Sequence, residues 1–236
     1  FMKQLIPFLL VLTIFSCSKV EPNMTVTGQI KGLKKGTLYL QQLKDTILVV
    51  LDSVIYNGED DFVLTNDLKA PEMLYLTLDK NAGDDIPRIS FFAVPGMITI
   101  NSTLKRFEFD AKIMGSPLNE KLEEFKSINS KFNDQNLELI KAKFDAQKSG
   151  NDILVSQVNK DSENLMRRKY LYAINFAMNN KDSEIAPYIA LSEIYNAKVT
   201  FLDTIYKALP TNIANSKYGL QLDEFIQERK KEDAIK

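Results

Sequence analysis

The spacing of apolar residues changes near residue 115, and this change constrains the fold more than any other feature of the chain. Before it, short runs rich in Val, Ile, Thr, Tyr and Phe alternate with Gly, Pro, Asn and Asp, which is typical of strands joined by tight turns. After it, apolar residues recur at steps of three and four, as on one face of a helix. The sequence therefore predicts an α+β protein, with an antiparallel β-domain at residues 24–114 and a helical domain at residues 115–236.

Eight apolar runs in the first part predict an antiparallel β-sandwich or a barrel-like sheet, because many short strands at close spacing favour these architectures. In the first run, polar Thr25 and Thr27 alternate with apolar Val26, as expected for a strand with one face in water. The predicted strands are residues 24–31, 37–43, 47–56, 62–65, 73–78, 88–94, 97–103 and 107–113.

Capping residues indicate where the helices of the second part begin. Ser116 is a favourable N-cap, and Pro117 stands at the first helical position, where its missing N–H costs nothing. A break at residues 148–151 separates two long helical runs, which we expect to fold back as a hairpin. Three further helices are predicted to begin at Pro187, at a capping box formed by residues 200–203, and after Ser216.

The N-terminus has the pattern of an export signal. A basic residue precedes an apolar run at residues 5–15, which is too short to span a bilayer, and a small residue precedes Cys17. Residues 14–17 resemble a bacterial lipobox, in which the cysteine thiol is diacylated, the chain is cut before the cysteine and the new amine is acylated. The sequence thus predicts a signal peptide at residues 1–16, lipidation of Cys17 and a polar tether at residues 17–23. A plain signal peptide that contains a cysteine is the alternative.

Lipidation of Cys17 would anchor the protein to a membrane, because each buried methylene contributes about 0.8 kcal/mol and several acyl chains act together. The residues after Cys17 lack an acidic run of the kind that resembles a surface-export signal. We therefore expect a lipid-anchored protein of the cell envelope, attached to the outer membrane and facing the periplasm. Cys17 is the single cysteine of the chain, so a disulfide does not contribute to its stability.

The residue inventory excludes several functions. Thirty basic residues against 31 acidic ones provide no field that would gather nucleic acid. The chain has no histidine, which excludes Ser-His-Asp and Cys-His catalysis and zinc sites built on imidazole. Acidic clusters at residues 59–61 and 84–85 lie in predicted turns, where solvated loop tips are favoured over a glycosidase pair or a calcium site. The sequence therefore predicts no catalytic, cofactor-binding or metal-binding residue.

Four aromatic residues stand within the predicted strands: Tyr39, Tyr75, Phe91 and Phe92. Aromatic side chains in strands contribute large apolar surfaces, and core packing is the favoured interpretation of all four. An aromatic groove that binds a ligand is the alternative.

Seven short motifs follow one another along residues 24–120. They are VTGQIKGL at 26–33, GTLYL at 36–40, LDSV at 51–54, NG at 57–58, proline 71 with YL at 75–76, PGMITI at 95–100, and MGSPLN at 114–119. Together they resemble the domain of unknown function 4369 found in Bacteroidetes lipoproteins. The chain departs from the family at one turn, where three residues separate Gly58 from Phe62 instead of a tight D-G-x-F turn.

The resemblance implies a link to thiol–disulfide chemistry. In many members, this domain and a helical region similar to residues 184–236 precede a thioredoxin-like domain, of the AhpC/TSA or thiol-disulfide oxidoreductase type, which acts through a C-x-x-C pair. The present sequence contains no such pair, and disulfide exchange needs a thiolate nucleophile. These residues alone therefore do not catalyse it.

Three function classes remain open. The first and favoured one is a non-catalytic, lipid-anchored binding or docking module of the cell envelope. The second is the targeting part of a thiol–disulfide system whose thioredoxin-like domain is missing or is a separate partner. The third is an enzyme that uses carboxylates alone. Reading the coding DNA beyond Lys236 for a C-x-x-C domain tests the second class.

Overall fold

The computed structural model describes residues 21–57, 61–79 and 86–235, and Cys17 lies outside this part of the chain. Strands occupy the first half of it and helices the second. The strands are β1 (Met24–Gly28), β2 (Ile30–Lys31), β3 (Gly36–Lys44), β4 (Ile47–Tyr56), β5 (Phe62–Asn66), β6 (Glu72–Asp79), β7 (Arg88–Ala93), β8 (Gly96–Thr103) and β9 (Lys112–Met114). The helices are α1 (Pro117–Lys148), α2 (Asp152–Asn179), α3 (Ile185–Glu193), α4 (Val199–Ala208), α5 (Thr211–Ala214) and α6 (Lys217–Ile235).

The strands form two sheets that enclose one apolar core. The first sheet has the order β2-β8-β1-β5, with β9 paired to β8, and the second has the order β4-β3-β6-β7. Val26 of β1 lies opposite Ile98 and Leu64 in its two neighbours, and all three side chains are fully buried. From the second sheet, Leu40 and Leu76 fill the same core. The predicted α+β class with an N-terminal sandwich is confirmed.

Strand β8 differs from the antiparallel expectation. It pairs in parallel with β1 and β2, whereas the other strand pairs are antiparallel. A parallel pair needs a long connection between its strands, and here that connection contains β3 to β7. Local turn signals carry no information about such a pairing, because they report only on strands that follow one another.

The strand predicted at residues 107–113 is largely wrong. Residues 105–110 form turns, and only Lys112–Met114 is a strand. The turn is closed by side chains, since the Asp110 carboxylate accepts a hydrogen bond from the Thr103 hydroxyl at 2.8 Å and pairs with Arg106 at 3.3 Å. Phe107 is buried from within this turn, with 4% exposure. Its apolar side chain therefore gave the segment a strand-like alternation without a strand.

The long helical hairpin follows the capping signals. Ser116 caps α1, because its hydroxyl oxygen accepts a hydrogen bond from the Asn119 N–H at 3.1 Å, and Pro117 occupies the first turn. At the predicted break, Asn151 caps α2 by accepting from the Leu154 N–H at 3.0 Å. The predicted hairpin of α1 and α2 is confirmed.

The later helix starts are confirmed only in part. Ser216 directly precedes α6, as predicted, and its hydroxyl accepts a weak hydrogen bond from the Gly219 N–H at 3.4 Å. Pro187 lies inside α3, which begins two residues earlier, at Ile185. The capping box at residues 200–203 is wrong, because α4 already begins at Val199 and has no side-chain cap. Thr200 thus lies inside the helix, where its carbonyl oxygen accepts a hydrogen bond from the Thr204 hydroxyl at 2.7 Å.

The helices pack on the second sheet through Phe92 of β7. The Phe92 ring is fully buried and meets Tyr188 of α3 and Tyr218 of α6 edge-on, with centroids 5.4 and 5.6 Å away. The Phe92 N–H donates to the Asn119 side-chain oxygen at 3.0 Å, and its carbonyl oxygen accepts from the Ser116 hydroxyl. The start of α1 is thus fixed to β7 by hydrogen bonds between two side chains at the start of the helix and the Phe92 backbone. Within the described residues, every helix is too short or too polar to cross a bilayer.

Candidate functional site

A cleft of about 320 Å³ lies where the second sheet meets the helices. One wall is the tip of the β3–β4 hairpin, which turns at Asp45 in a left-handed conformation with φ of 54°. The remaining lining residues come from β6, α3 and α6. The lining residues are Leu43, Asp45, Met73, Tyr75, Tyr188, Lys217, Tyr218 and Gln221.

A buried ion pair joins the two parts of the molecule beside the cleft. The Glu72 side chain is 8% exposed, and its carboxylate accepts hydrogen bonds from Lys217 and, at 2.6 Å, from the Gln42 amide. A carboxylate is stable at such a depth only when it is paired and hydrogen-bonded. Lys217 neutralises this carboxylate. Its side chain is 32% exposed, so it also presents part of its surface to the cleft.

Two tyrosines of the cleft keep their protons well above neutral pH. Burial raises the pKa of Tyr188 to about 12, with smaller contributions from Tyr75 and Glu193. Burial also raises the pKa of Tyr218, although the hydrogen bond from the Met73 N–H opposes the change. That N–H lies 2.8 Å from the Tyr218 hydroxyl oxygen, which accepts the bond and leaves the phenolic proton for another acceptor. At neutral pH the cleft therefore offers neutral hydroxyl donors and aromatic faces.

The raised pKa of Tyr188 predicts a loss of stability at alkaline pH. Between pH 10 and 12 the phenol ionises in the unfolded chain but stays protonated in the folded one, so the unfolded state binds fewer protons and stability falls as pH rises. We expect Tyr188→Phe to remove up to about 2 kcal/mol of this loss. Urea unfolding at several pH values from 8 to 12 measures the free energy of unfolding of the parent protein and the variant. Tyr195→Phe is the control, because Tyr195 is 54% exposed, and equal pH profiles for the two variants would contradict the prediction.

The aromatic residues singled out in the sequence divide between core and cleft. Phe91 is fully buried between the sheets and Phe92 is fully buried under the helices, so core packing is confirmed for both. Tyr75 is half-buried and lines the cleft, as in the groove alternative. Tyr39 is also half-buried on the second sheet but lies outside the cleft lining.

Sequence reasoning missed most of this site. Glu72, Tyr188, Lys217 and Tyr218 come from three elements, and the hydrogen bond from Lys217 to Glu72 joins positions 145 residues apart. The only local signal is a glutamate that opens an apolar strand, which indicates a buried carboxylate in need of a partner. It does not indicate which lysine supplies the partner.

The predicted acidic clusters are only partly visible. Asp61 is exposed, whereas residues 59–60 and 84–85 lie outside the described residues, as does Cys17. Among residues 21–57, 61–79 and 86–235, no group of three or more Cys, Asp or Glu side chains converges as metal ligands would.

Comparison with known proteins identifies one part of the chain. The family model described as "Domain of unknown function (DUF4369)" matches residues 24–122, which contain the strands from β1 to β9 and the beginning of α1. The search of curated proteins and the search of solved structures each find no match. The match covers the segment over which the seven sequence motifs follow one another. Residues 24–122 of this chain are therefore a DUF4369 domain, as the motifs predicted.

Proposed function

We propose that this protein is a non-catalytic binding module of the cell envelope, held at the membrane by lipidated Cys17, which takes a small polar ligand or a short partner segment in the cleft. The observation that carries the proposal is the chemistry of the cleft lining. Glu72 is already engaged by Lys217 and Gln42, and the phenols of Tyr188 and Tyr218 stay protonated. The described lining thus supplies hydrogen-bond donors, aromatic faces, one partly exposed cation and the exposed Asp45 carboxylate at the tip of the hairpin, a set that suits recognition of a polar ligand.

The cleft is tested by removing Tyr75, its half-buried aromatic wall. We expect Tyr75→Ala to weaken ligand binding at least about tenfold, because a ring in a binding cleft contributes large contact area at small entropic cost. A panel of disaccharides and dipeptides is screened by ligand-detected NMR. Tyr39→Ala is the matched control, since Tyr39 is a half-buried tyrosine of the same sheet outside the cleft. Equal losses in both variants, or binding by neither variant nor parent, would contradict the assignment.

The membrane anchor is tested by Cys17→Ala. Without the thiol there is no site for the first acyl chains, so we expect the variant to leave the membrane fraction almost completely. Fractionation after metabolic labelling with palmitate measures both association and acylation. Ser18→Ala, one residue further on, is the control and should stay lipidated. A Cys17→Ala variant that remained in the membrane fraction would exclude the lipobox.

The DUF4369 match favours a second candidate function, because the family resemblance implies a neighbouring thioredoxin-like domain. In that case the cleft would receive a segment of that domain or of a separate thioredoxin-like protein. Reading the coding DNA beyond Lys236 and in adjacent genes distinguishes the two candidates. A C-x-x-C domain in frame or next door would favour the thiol–disulfide role.

A further inference from the structure

A second cleft lies in the helical region, between α2 and the beginning of α4. Its volume is about 320 Å³, and it shares no lining residue with the cleft beside Glu72. Its walls are mostly apolar side chains that are nevertheless open to solvent. Met166, Leu171 and Phe201 are 43%, 48% and 40% exposed. We call this cleft the α2–α4 groove.

Two polar side chains of the groove are bonded to each other. The Tyr170 hydroxyl donates a hydrogen bond to the Asn196 side-chain oxygen at 2.6 Å. A ligand would therefore meet the groove mainly through apolar surface.

The charges at the groove are all positive. Arg167 and Lys198 line it, both are exposed, and neither forms an ion pair within the described part of the chain. The lining contains no carboxylate. Asp203, two residues after Phe201 in α4, is already paired with Lys207 at 2.5 Å and Lys230 at 2.6 Å, so its charge is compensated.

We propose that the α2–α4 groove binds a single-chain anionic amphiphile, a medium-chain fatty acid carboxylate, with its alkyl chain on the apolar walls and its carboxylate paired to Arg167 and Lys198. The charge complementarity selects an anionic head group, and the apolar lining selects an alkyl chain. This site is independent of the proposed function of the first cleft.

The size of the groove favours a small ligand over a protein. Its lining on α2 runs from Met166 to Ile174, which at 1.5 Å per residue is about 12 Å. A volume of about 320 Å³ is within the range of small-molecule sites. A stable protein partner would need to bury more than about 1,000 Å².

The head group and the chain are tested separately on the full-length parent protein, made by cell-free synthesis without detergent. We titrate ¹³C-carboxyl dodecanoate by NMR. Dodecyltrimethylammonium is the probe with the same alkyl chain and the opposite charge, and butyrate is the probe with the same carboxylate and only a short alkyl chain. We expect dodecanoate to bind at least about tenfold more tightly than either, and decanoate to bind about four- to tenfold more tightly than octanoate, since each methylene adds buried surface.

The role of the two cations that line the groove, Arg167 and Lys198, is tested with a double variant. Arg167→Gln with Lys198→Gln should weaken dodecanoate binding by about three- to tenfold. The control, Arg168→Gln with Lys160→Gln, makes the same change of net charge on exposed positions outside the groove lining and should bind like the parent.

Three outcomes would overturn the proposal. Equal binding of dodecyltrimethylammonium and dodecanoate by the parent protein would exclude recognition of the carboxylate, whatever the variants do. An equal loss in the control double variant would assign the effect to net charge. Binding to phosphatidylglycerol vesicles but not to monomeric dodecanoate would identify a lipid surface as the ligand instead.

Discussion

Gly115→Ala should destabilise the protein by more than about 3 kcal/mol, because two independent costs combine at this position. Gly115 has a φ of 88°, in the left-handed region that disfavours side chains, and a Cβ atom there would lie 2.1 Å from the Met97 carbonyl oxygen. Met97 is fixed in β8 by its pairing with Thr25 of β1, so the clash is not relieved by moving a flexible side chain. Urea unfolding followed by circular dichroism measures the loss.

Gly150 provides the matched control for that substitution. Its φ of 67° is also left-handed, but a Cβ atom there would meet no heavy atom within 4 Å. Gly150→Ala should therefore cost only about 1 kcal/mol, which is the conformational cost alone. Equal losses for the two variants would contradict the predicted clash at the start of α1.

Phe92→Ala should cost about 3–5 kcal/mol, because it removes a fully buried ring at the junction of the second sheet and the helices. The backbone bonds of Phe92 to Ser116 and Asn119 do not depend on its side chain, so the variant reports on the ring itself. The ring contacts with Tyr188 and Tyr218 are lost together. We expect the helices to separate from the sheet at a lower denaturant concentration than that at which the sandwich unfolds.

Two spectroscopic signals measure this uncoupling. The helical signal in the far ultraviolet should fall before the NMR signal of Tyr56, which is 4% exposed in β4, has changed fully, so the two transitions no longer coincide. Phe109→Ala is the control, because the Phe109 ring is 80% exposed, and it should cost less than about 1 kcal/mol. Coincident transitions in Phe92→Ala, with a loss no larger than in the control, would show that the ring does not couple the two parts.

The features that the sequence predicted correctly depend on local chemistry. Ser116 and Asn151 accept hydrogen bonds within their own first turns, so the starts of α1 and α2 were readable from neighbouring residues. Two of the errors are also local. Asp110 and Arg106 close a turn that has the apolar pattern of a strand, and α4 begins without the expected cap.

The candidate site was largely beyond prediction, for a different reason. Tyr39 and Tyr75 are the same residue type on neighbouring strands, and only the position of the helices makes one of them a cleft residue. Similarly, nothing near Glu72 in the sequence indicates that Lys217 neutralises it. These pairings are consequences of how the helices pack on the second sheet, which the spacing of apolar residues does not encode.

The position of β1 determines the order in which the chain is able to fold. Although it is the first strand in the sequence, it lies inside its sheet between β8 and β5. The hydrogen bond from the Gln29 N–H, directly after β1, to the Asn101 side chain in β8 spans 72 residues. Pairings of such long range form slowly, because the intervening loop must close first. β3 and β4, by contrast, are joined by a tight hairpin. During synthesis, β1 therefore does not complete its pairing with β8 until residue 103 has emerged from the ribosome. The second sheet begins to form before the first.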